Sequence, residues 1–344
     1  MKLGIIGLPG SGKLTLFQAF TSNIINSSQK RENHIGTVKV PDQRIDHLSS
    51  VYTPKKTTYA QIEYFLPGLV GHGTDRKKEN MSWSQVRDCD ALIHVVRNFR
   101  GYGLSPLTPK DDFNQIDQDL IISDLVVVEK RLERLALDQK RGKKGNSEEF
   151  ELLSLCQKHL NAEIPLRKFP ELAFAPLLRG FAFLSAKPML ILFNNEDEDD
   201  HLPDIPDILA KEEHMVIRGK LEQELVQMNP IEAKDFLTEF NITASAMDRI
   251  IKRSYKLLGL ISFFTVGEDE VRAWTIKKGT MALYAAEVIH SDIKKGFIRA
   301  EVLAYEDLVA AGTYVCARKK GTVRLEGKTY PIKDGDIINF RFNV

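Results

Sequence analysis

Gly7-Leu8-Pro9-Gly10-Ser11-Gly12-Lys13-Leu14-Thr15 is the stretch that decides the fold. It follows a short apolar run, Leu3-Gly4-Ile5-Ile6, and precedes an apolar-periodic segment, Leu16-Phe17-Gln18-Ala19-Phe20. Strand, glycine loop and helix in that order are the setting in which a phosphate-binding loop works. Glycines let several backbone N–H groups close around a polyphosphate. The helix N-terminus adds partial positive charge, and Lys13 reaches the terminal phosphates. An ordinary glycine turn before a helix is the plain alternative. It is set aside because the strand, the spaced glycines and the lysine coincide.

Leu14 departs from the pattern G-x-x-x-x-G-K-[ST], which places a hydroxyl directly after the lysine to ligate the nucleotide's Mg²⁺. Leucine offers no oxygen. Thr15 is the next residue, about 100° around the helix, and is a poor substitute. The phosphate cradle is complete, whereas the metal position is not.

The rest of the 344 residues sets bounds on function. Two or three domains fit this length. Lys+Arg is 48 and Asp+Glu is 47, so no global charge advertises nucleic acid, and any basic footprint is local. Cys89, Cys156 and Cys316 are far apart. This argues against a zinc site or a disulfide framework and suits a reducing cytosol. The N-terminus runs straight into the first strand without a signal peptide's apolar stretch. No run approaches the ~18 apolar residues of a membrane span. A soluble, cytoplasmic protein is expected, with no membrane partner and no DNA specificity.

Residues 22–33 read as an exposed polar loop and residues 71–80 as a mobile one. Tyr59 to Leu66 alternates as a strand and ends at the turn signal Pro67-Gly68. Ala91 to Val96 and Met189 to Phe193 read as buried strands, so a parallel sheet covered by helices follows. His94, inside the first of these, reads as a satisfied core histidine. Between them, Ile121, Leu125, Val128, Leu132 and Leu135 step by four, three, four and three, a coiled-coil-like seam. After Lys140 to Asn146, a second helix carries Phe150, Leu153 and Leu160 on one face. This is an αα-hairpin inserted in the nucleotide domain, with a basic tip that is either a solvated turn or a contact for RNA phosphates.

Asn194-Asn195-Glu196-Asp197 follows the strand ending at Phe193. An amide at a strand end with a carboxylate shortly after it suits recognition of a nucleotide base, which makes Asn194, Glu196 and Asp197 the base-binding candidates. A solvated acidic loop is the alternative. Helical patterns resume from Pro230 to Leu258. From Ile261 short strand-like runs surround one helix, and Lys333-Asp334-Gly335-Asp336 signals a hairpin, so a small mixed sheet packed on a helix is expected. Lys294, Lys295, Arg299, Arg318, Lys319, Lys320 and Arg324, with Phe297 and Tyr314, compose either an RNA-contact face or a scattered charged surface.

Taken together, these strings resemble the Obg-like ATPases of the YchF type from end to end. Gly7-Leu8-Pro9, Gly12-Lys13 and Thr15-Leu16-Phe17 look like that family's phosphate loop, and Pro41-Asp42-Gln43-Arg44-Ile45-Asp46 follows in the family's order. Most specific are Glu270 to Ile276, Lys295 to Ala300, and Lys333 to Asp336 through Asn339 to Val344, which look like the family's terminal TGS domain, a ubiquitin-like β-grasp. The resemblance implies an α/β P-loop NTPase domain over 1–111 and 180–260, a helical coiled-coil insert over 112–179 and a TGS domain over 261–344. It implies ATP or GTP as ligand with a preference for ATP, with Gly7, Pro9, Gly10, Ser11, Gly12, Lys13, Leu14 and Thr15 around the phosphates, and association with ribosomes. Against the family pattern, Leu14 replaces a serine, the threonine-bearing switch segment is not found, and Asp-x-x-Gly is replaced where Glu63-Tyr64-Phe65-Leu66-Pro67-Gly68 stands. The expected protein therefore binds nucleotide and a ribosome or RNA through the TGS domain and insert tip, holds no metal of its own, and hydrolyses weakly or not at all. An active Mg²⁺-dependent ATPase or GTPase, an RNA-interaction module with a relic P-loop, and a small-molecule kinase are the alternatives.

Overall fold

The apolar run before the glycine loop forms strand β1 (Lys2–Ile6), and the segment after it forms helix α1 (Lys13–Thr21). In this computed structural model, residues 1–21, 25, 29, 32–68, 83–101, 106–141, 147–239 and 246–343 are described. The expected loops at 22–33 and 71–80, and residues 142–146 of the hairpin tip, lie largely or wholly outside them.

The chain forms two compact units, Met1–Thr37 with Glu63–Met247, and Val38–Ile62 with Asp248–Val344. The first is built on a six-stranded sheet of order β2-β4-β1-β5-β6-β7. Its strands are β2 (His34–Lys39), β4 (Gln61–Leu66), β1, β5 (Ala91–Asn98), β6 (Met189–Asn195) and β7 (Glu213–Ile217). β1 runs parallel to β4 and β5, β5 to β6, and β6 to β7, with Leu3 level with both Tyr64 and Ala91. Strands covered on both faces read as continuous apolar runs, and seven of eight β5 residues and all of β6 are buried. From β1 the chain builds first toward β4 and then crosses to β5. The carboxyl end of β1 is thus a topological switch point, where open α/β sheets leave a crevice.

Helices α3 (Pro109–Lys140) and α4 (Ser147–Asn161) form the expected hairpin within this first unit. Ile121 and Val128 of α3 are buried against Leu153, Cys156 and Leu160 of α4. Phe150, expected on that face, is 44% exposed, and Cys156 takes its place in the seam. Glu149 instead holds Arg131 at this level of the hairpin, at 2.7 Å.

The second unit has a mixed sheet of order β11-β10-β12-β8-β9-β3, from β8 (Leu260–Thr265), β9 (Glu270–Lys277), β10 (Phe297–Ala304), β11 (Arg324–Glu326), β12 (Asp336–Phe342) and β3 (Lys56–Thr58). Helix α6 (Ala282–Ile289) buries Ala282, Ala285 and Ala286 on it. The strand pairing explains why residues 38–62, which the sequence reading gives to the nucleotide domain, join this unit. β3 adds to β9 in parallel, with Lys56 level with Glu270. Helix α2 (Gln43–Tyr52), N-capped by Asp42, carries Arg44, whose guanidinium lies 2.8 Å from Asp42 and 2.9 Å from Asp334. The strings Pro41–Asp46 and Lys333–Asp336, far apart in sequence, are therefore held together by one arginine fork.

Candidate functional site: a phosphate-binding loop

The loop after β1 turns three times through backbone that side chains resist. Gly7, Gly10 and Gly12 have φ of 147°, 79° and 92°. A Cβ on Gly7 would lie 2.3 Å from the carbonyl oxygen of Val95, and one on Gly12 would lie 2.2 Å from Nδ2 of Asn194. Both positions need glycine on conformational and steric grounds. Pro9 is exposed at the crest of the loop, and Ser11 is buried with its hydroxyl bonded to none of the described residues.

Lys13 opens α1 and folds back over the loop, its ammonium donating to the carbonyls of Gly7 and Leu8, both at 2.7 Å. Burial of this ammonium lowers its pKa from the ordinary 10.5 to about 8. Gly10, Gly12, Lys13, Leu14 and Thr15 line a cavity of about 370 Å³, closed by His34, Leu66, Pro67 and Phe99. These four residues were not singled out from the sequence. Leu66 and Pro67 were legible only as a strand end and turn, and neither His34 nor Phe99 was given a reading. Phe99 reaches within 4.0 Å of where a Gly12 Cβ would stand.

The three base candidates have different partners. Asn194 is buried and bridges two elements: its Nδ2 donates to the Ser11 carbonyl at 3.0 Å and its Oδ1 accepts from Gly219 N at 2.9 Å. Gly219 begins helix α5 (Gly219–Gln227). Asp197 accepts from Leu221 N in the same helix start at 3.2 Å, with Lys220 at 3.7 Å. Glu196 points elsewhere and accepts from Arg100 N at 2.8 Å. The amide and Asp197 thus share one turn behind the phosphate loop.

His94 is a core histidine, but not a satisfied one. Neither ring nitrogen has a partner among the described residues, the ring stacks on Phe113, and burial lowers its pKa to about 3. It is a neutral packing residue. In the second unit Phe297, read as a neighbour of an RNA face, is 6% exposed because its ring packs on Phe340 in the core. It is not available for stacking on a base. Lys294 is paired with Glu287 and Arg324 lies 3.8 Å from Glu326, so part of the expected basic surface is neutralised.

A parallel sheet, a glycine loop at its switch point and a lysine at the start of the next helix define a P-loop nucleotide-binding domain. The family model YchF-GTPase_C, "Protein of unknown function (DUF933)", matches residues 260–343. The chain is 40% identical over 362 residues to the Bacillus subtilis (strain 168) protein named ribosome-binding ATPase YchF, covering 99% of each. It is 34% identical over 360 residues to the Escherichia coli O157:H7 protein of the same name, covering 100% of this chain and 99% of the other. The structure of the Schizosaccharomyces pombe YchF GTPase superposes with a TM-score of 0.86 at 30% identity, covering 99% of this chain and 97% of that one. The chain belongs to the YchF family. Its fold is that of a P-loop domain with a helical insert and a C-terminal TGS-like domain. Among the described residues no helix is long and apolar enough to cross a membrane.

The shifted lysine gives a pH dependence. A phosphate held at Lys13 would restore its charged form, so nucleotide binding there above pH 8 would take up a proton that the free protein lacks. Above this pKa, affinity falls about tenfold per pH unit until the bound pKa is reached. The empty protein follows the opposite sign. Its folded state disfavours the ammonium, so it gains stability as pH rises from about 8 toward 10.5. Calorimetric titration at pH 9 in buffers of different ionisation enthalpy should report close to one proton taken up, against none at pH 6.5. Lys13→Arg, charged throughout, should abolish the uptake.

Proposed function

We propose that the chain binds ATP or GTP at the loop formed by Gly7, Gly10, Gly12 and Lys13, associates with ribosomes, and hydrolyses the nucleotide slowly or not at all. The observation that carries this reading is a complete phosphate cradle beside a metal position with no oxygen. Leu14 lines the cavity directly after Lys13. Mg²⁺ is a hard cation that takes oxygen ligands. Thr15 offers the one side-chain hydroxyl among the helix residues lining the cavity. These residues do not fit a protein-held Mg²⁺. Phosphoryl transfer depends on positioned positive charge to offset charge on the moving phosphoryl oxygens. Each ~1.4 kcal/mol of lost stabilisation costs about tenfold in rate.

Association with ribosomes is supported by the names of the relatives, ribosome-binding ATPases across nearly the whole chain. The TGS-like domain and the basic hairpin tip are the surfaces proposed for it, through RNA phosphates. Calorimetric titration with ATP, ADP, GTP and GDP, each with Mg²⁺ and with EDTA, tests the site. The expected result is binding that changes less than about tenfold, ~1.4 kcal/mol, on removing Mg²⁺. Strongly Mg²⁺-dependent binding, or stoichiometric turnover by purified protein, would make the chain an active hydrolase. Leu14→Ser alone should leave turnover unchanged, because the threonine-bearing switch segment is not found in the sequence and the Asp-x-x-Gly aspartate is missing from it.

A further inference from the structure

We infer that the second unit holds a binding site for a free amino acid with a large apolar side chain, recognised through both of its charges. The site is a cavity of about 370 Å³ at the start of α2, and every residue lining it belongs to the second unit. Its volume falls in the range of roughly 300–1,000 Å³ typical of small-molecule sites. It shares no residue with the cavity at the phosphate loop, and the inference does not rest on nucleotide binding.

The charges on this wall are left unbalanced in two places. Arg44 is one cation shared by two carboxylates, 2.8 Å from Asp42 and 2.9 Å from Asp334, so the cluster carries one excess negative charge. Asp42 is filled by the backbone N and the guanidinium of Arg44. Asp334 is not. It accepts from Ser262 N and from two guanidinium nitrogens, which leaves open one of the roughly four acceptor sites of a carboxylate. Its side chain is 49% exposed. Lys252, on the helix Ala246–Leu257, is the opposite case. It lines the same cavity, is exposed, and has no partner for its ammonium among the described residues.

A ligand that answers both groups is a zwitterion. A simple anion would pair with Lys252 but add to the excess negative charge around Asp334, and a simple cation would do the reverse. An α-amino acid carries a carboxylate and an ammonium on one carbon. The rest of the wall suits its side chain, since Val40, Pro41, Leu260 and the ring of Tyr255 supply apolar surface. That ring is fixed by its hydroxyl, which lies 2.9 Å from Ser262 Oγ and 3.0 Å from Thr275 Oγ1. Arg44 is held by its fork and lies over the Phe264 ring, 5.2 Å from its centroid. The wall is thus preorganised, which spares the cost of ordering it on binding.

Calorimetric titration of the full chain with L-phenylalanine and L-leucine tests this. N-acetyl-L-phenylalanine, which keeps only the negative charge, and L-phenylalaninamide, which keeps only the positive one, are the comparisons. L-phenylalanine should bind roughly 10- to 100-fold more tightly than either, the effect of one hydrogen bond to a charged group. Lys252→Met should weaken L-phenylalanine by the same factor and leave L-phenylalaninamide unchanged. Asp334→Asn should weaken L-phenylalanine and leave the N-acetyl compound unchanged. Asp334 also holds Arg44 and Ser262, so if that variant does not fold, Lys252→Met at its exposed position still decides. N-acetyl-L-phenylalanine binding as tightly as L-phenylalanine would overturn the zwitterion assignment, and so would binding indifferent to Lys252→Met. Binding of neither amino acid would overturn the site, whatever the nucleotide titrations give.

Discussion

Gly12→Ala should cost the protein its nucleotide. Gly12 has φ of 92°, where a Cβ crowds the backbone and costs about 1–2 kcal/mol. The new methyl carbon would also stand 2.2 Å from Nδ2 of Asn194. A flexible side chain could swing aside, but Asn194 is buried and held at both ends of its amide. Moving it releases Ser11 on one side and the start of α5 on the other. The cheaper response is a shift of the loop, which turns the N–H groups of residues 10–13 away from the phosphates. Hydrogen bonds to charged groups are worth roughly 1.5–3 kcal/mol each, so loss of about two raises Kd by roughly 10²–10⁴. Gly180→Ala is the control within the same unit, since an added Cβ there meets nothing within 4 Å. Calorimetry with the tightest-binding nucleotide reads the effect. A change of less than tenfold for Gly12→Ala would show that Asn194 does not brace the loop.

The loop was legible in the sequence because its requirements are local. Three glycines, a preceding apolar strand and a lysine at a helix start each leave a mark within a dozen residues. The walls of the cavity left none. His34 and Phe99 come from β2 and from the end of β5, and only the strand order brings them to the loop. Strands β5 and β6 announced themselves as apolar runs, whereas β3 has three residues and β2 is mostly exposed or half-buried, so neither shows a period. The union of residues 38–62 with the C-terminal unit was hidden for the same reason. It rests on a three-residue strand pairing and on one arginine between Asp42 and Asp334. Asn194 was read as a base contact because an amide at a strand end fits that role. Its actual partners, Ser11 and Gly219, are set by tertiary approach, with no signal in the sequence around any of the three.

The helical insert offers a case where the period carried more than an apolar face. Asp124 lies three residues after Ile121 and four before Val128, squarely on the seam of α3. A carboxylate on that stripe must be paired. It is fully buried, with Arg87 at 3.0 Å, and it accepts from Leu184 N at 3.0 Å and Ser185 N at 2.7 Å. Burial pushes its carboxyl pKa up, and the two N–H groups and Arg87 pull it back. One side chain thus fastens α3 to the loop that leads into β6. Asp124→Ala leaves two buried N–H groups without their acceptor and takes the carboxylate from Arg87, which keeps Ser123 and the Ala182 carbonyl, a loss of about 2–6 kcal/mol. Arg87→Ala should cost less, because Asp124 keeps its two backbone donors. Trp83 packs on the core of the first unit and Trp274 on that of the second. With Trp274→Phe as background, urea unfolding followed by Trp83 fluorescence should therefore show the full shift in the first unit. With Trp83→Phe as background, Trp274 should report an unchanged second unit. Equal losses for Asp124→Ala and Arg87→Ala would assign the whole effect to the ion pair and none to the backbone donors, which would make the hairpin an appendage held by one charge rather than part of the nucleotide domain's core.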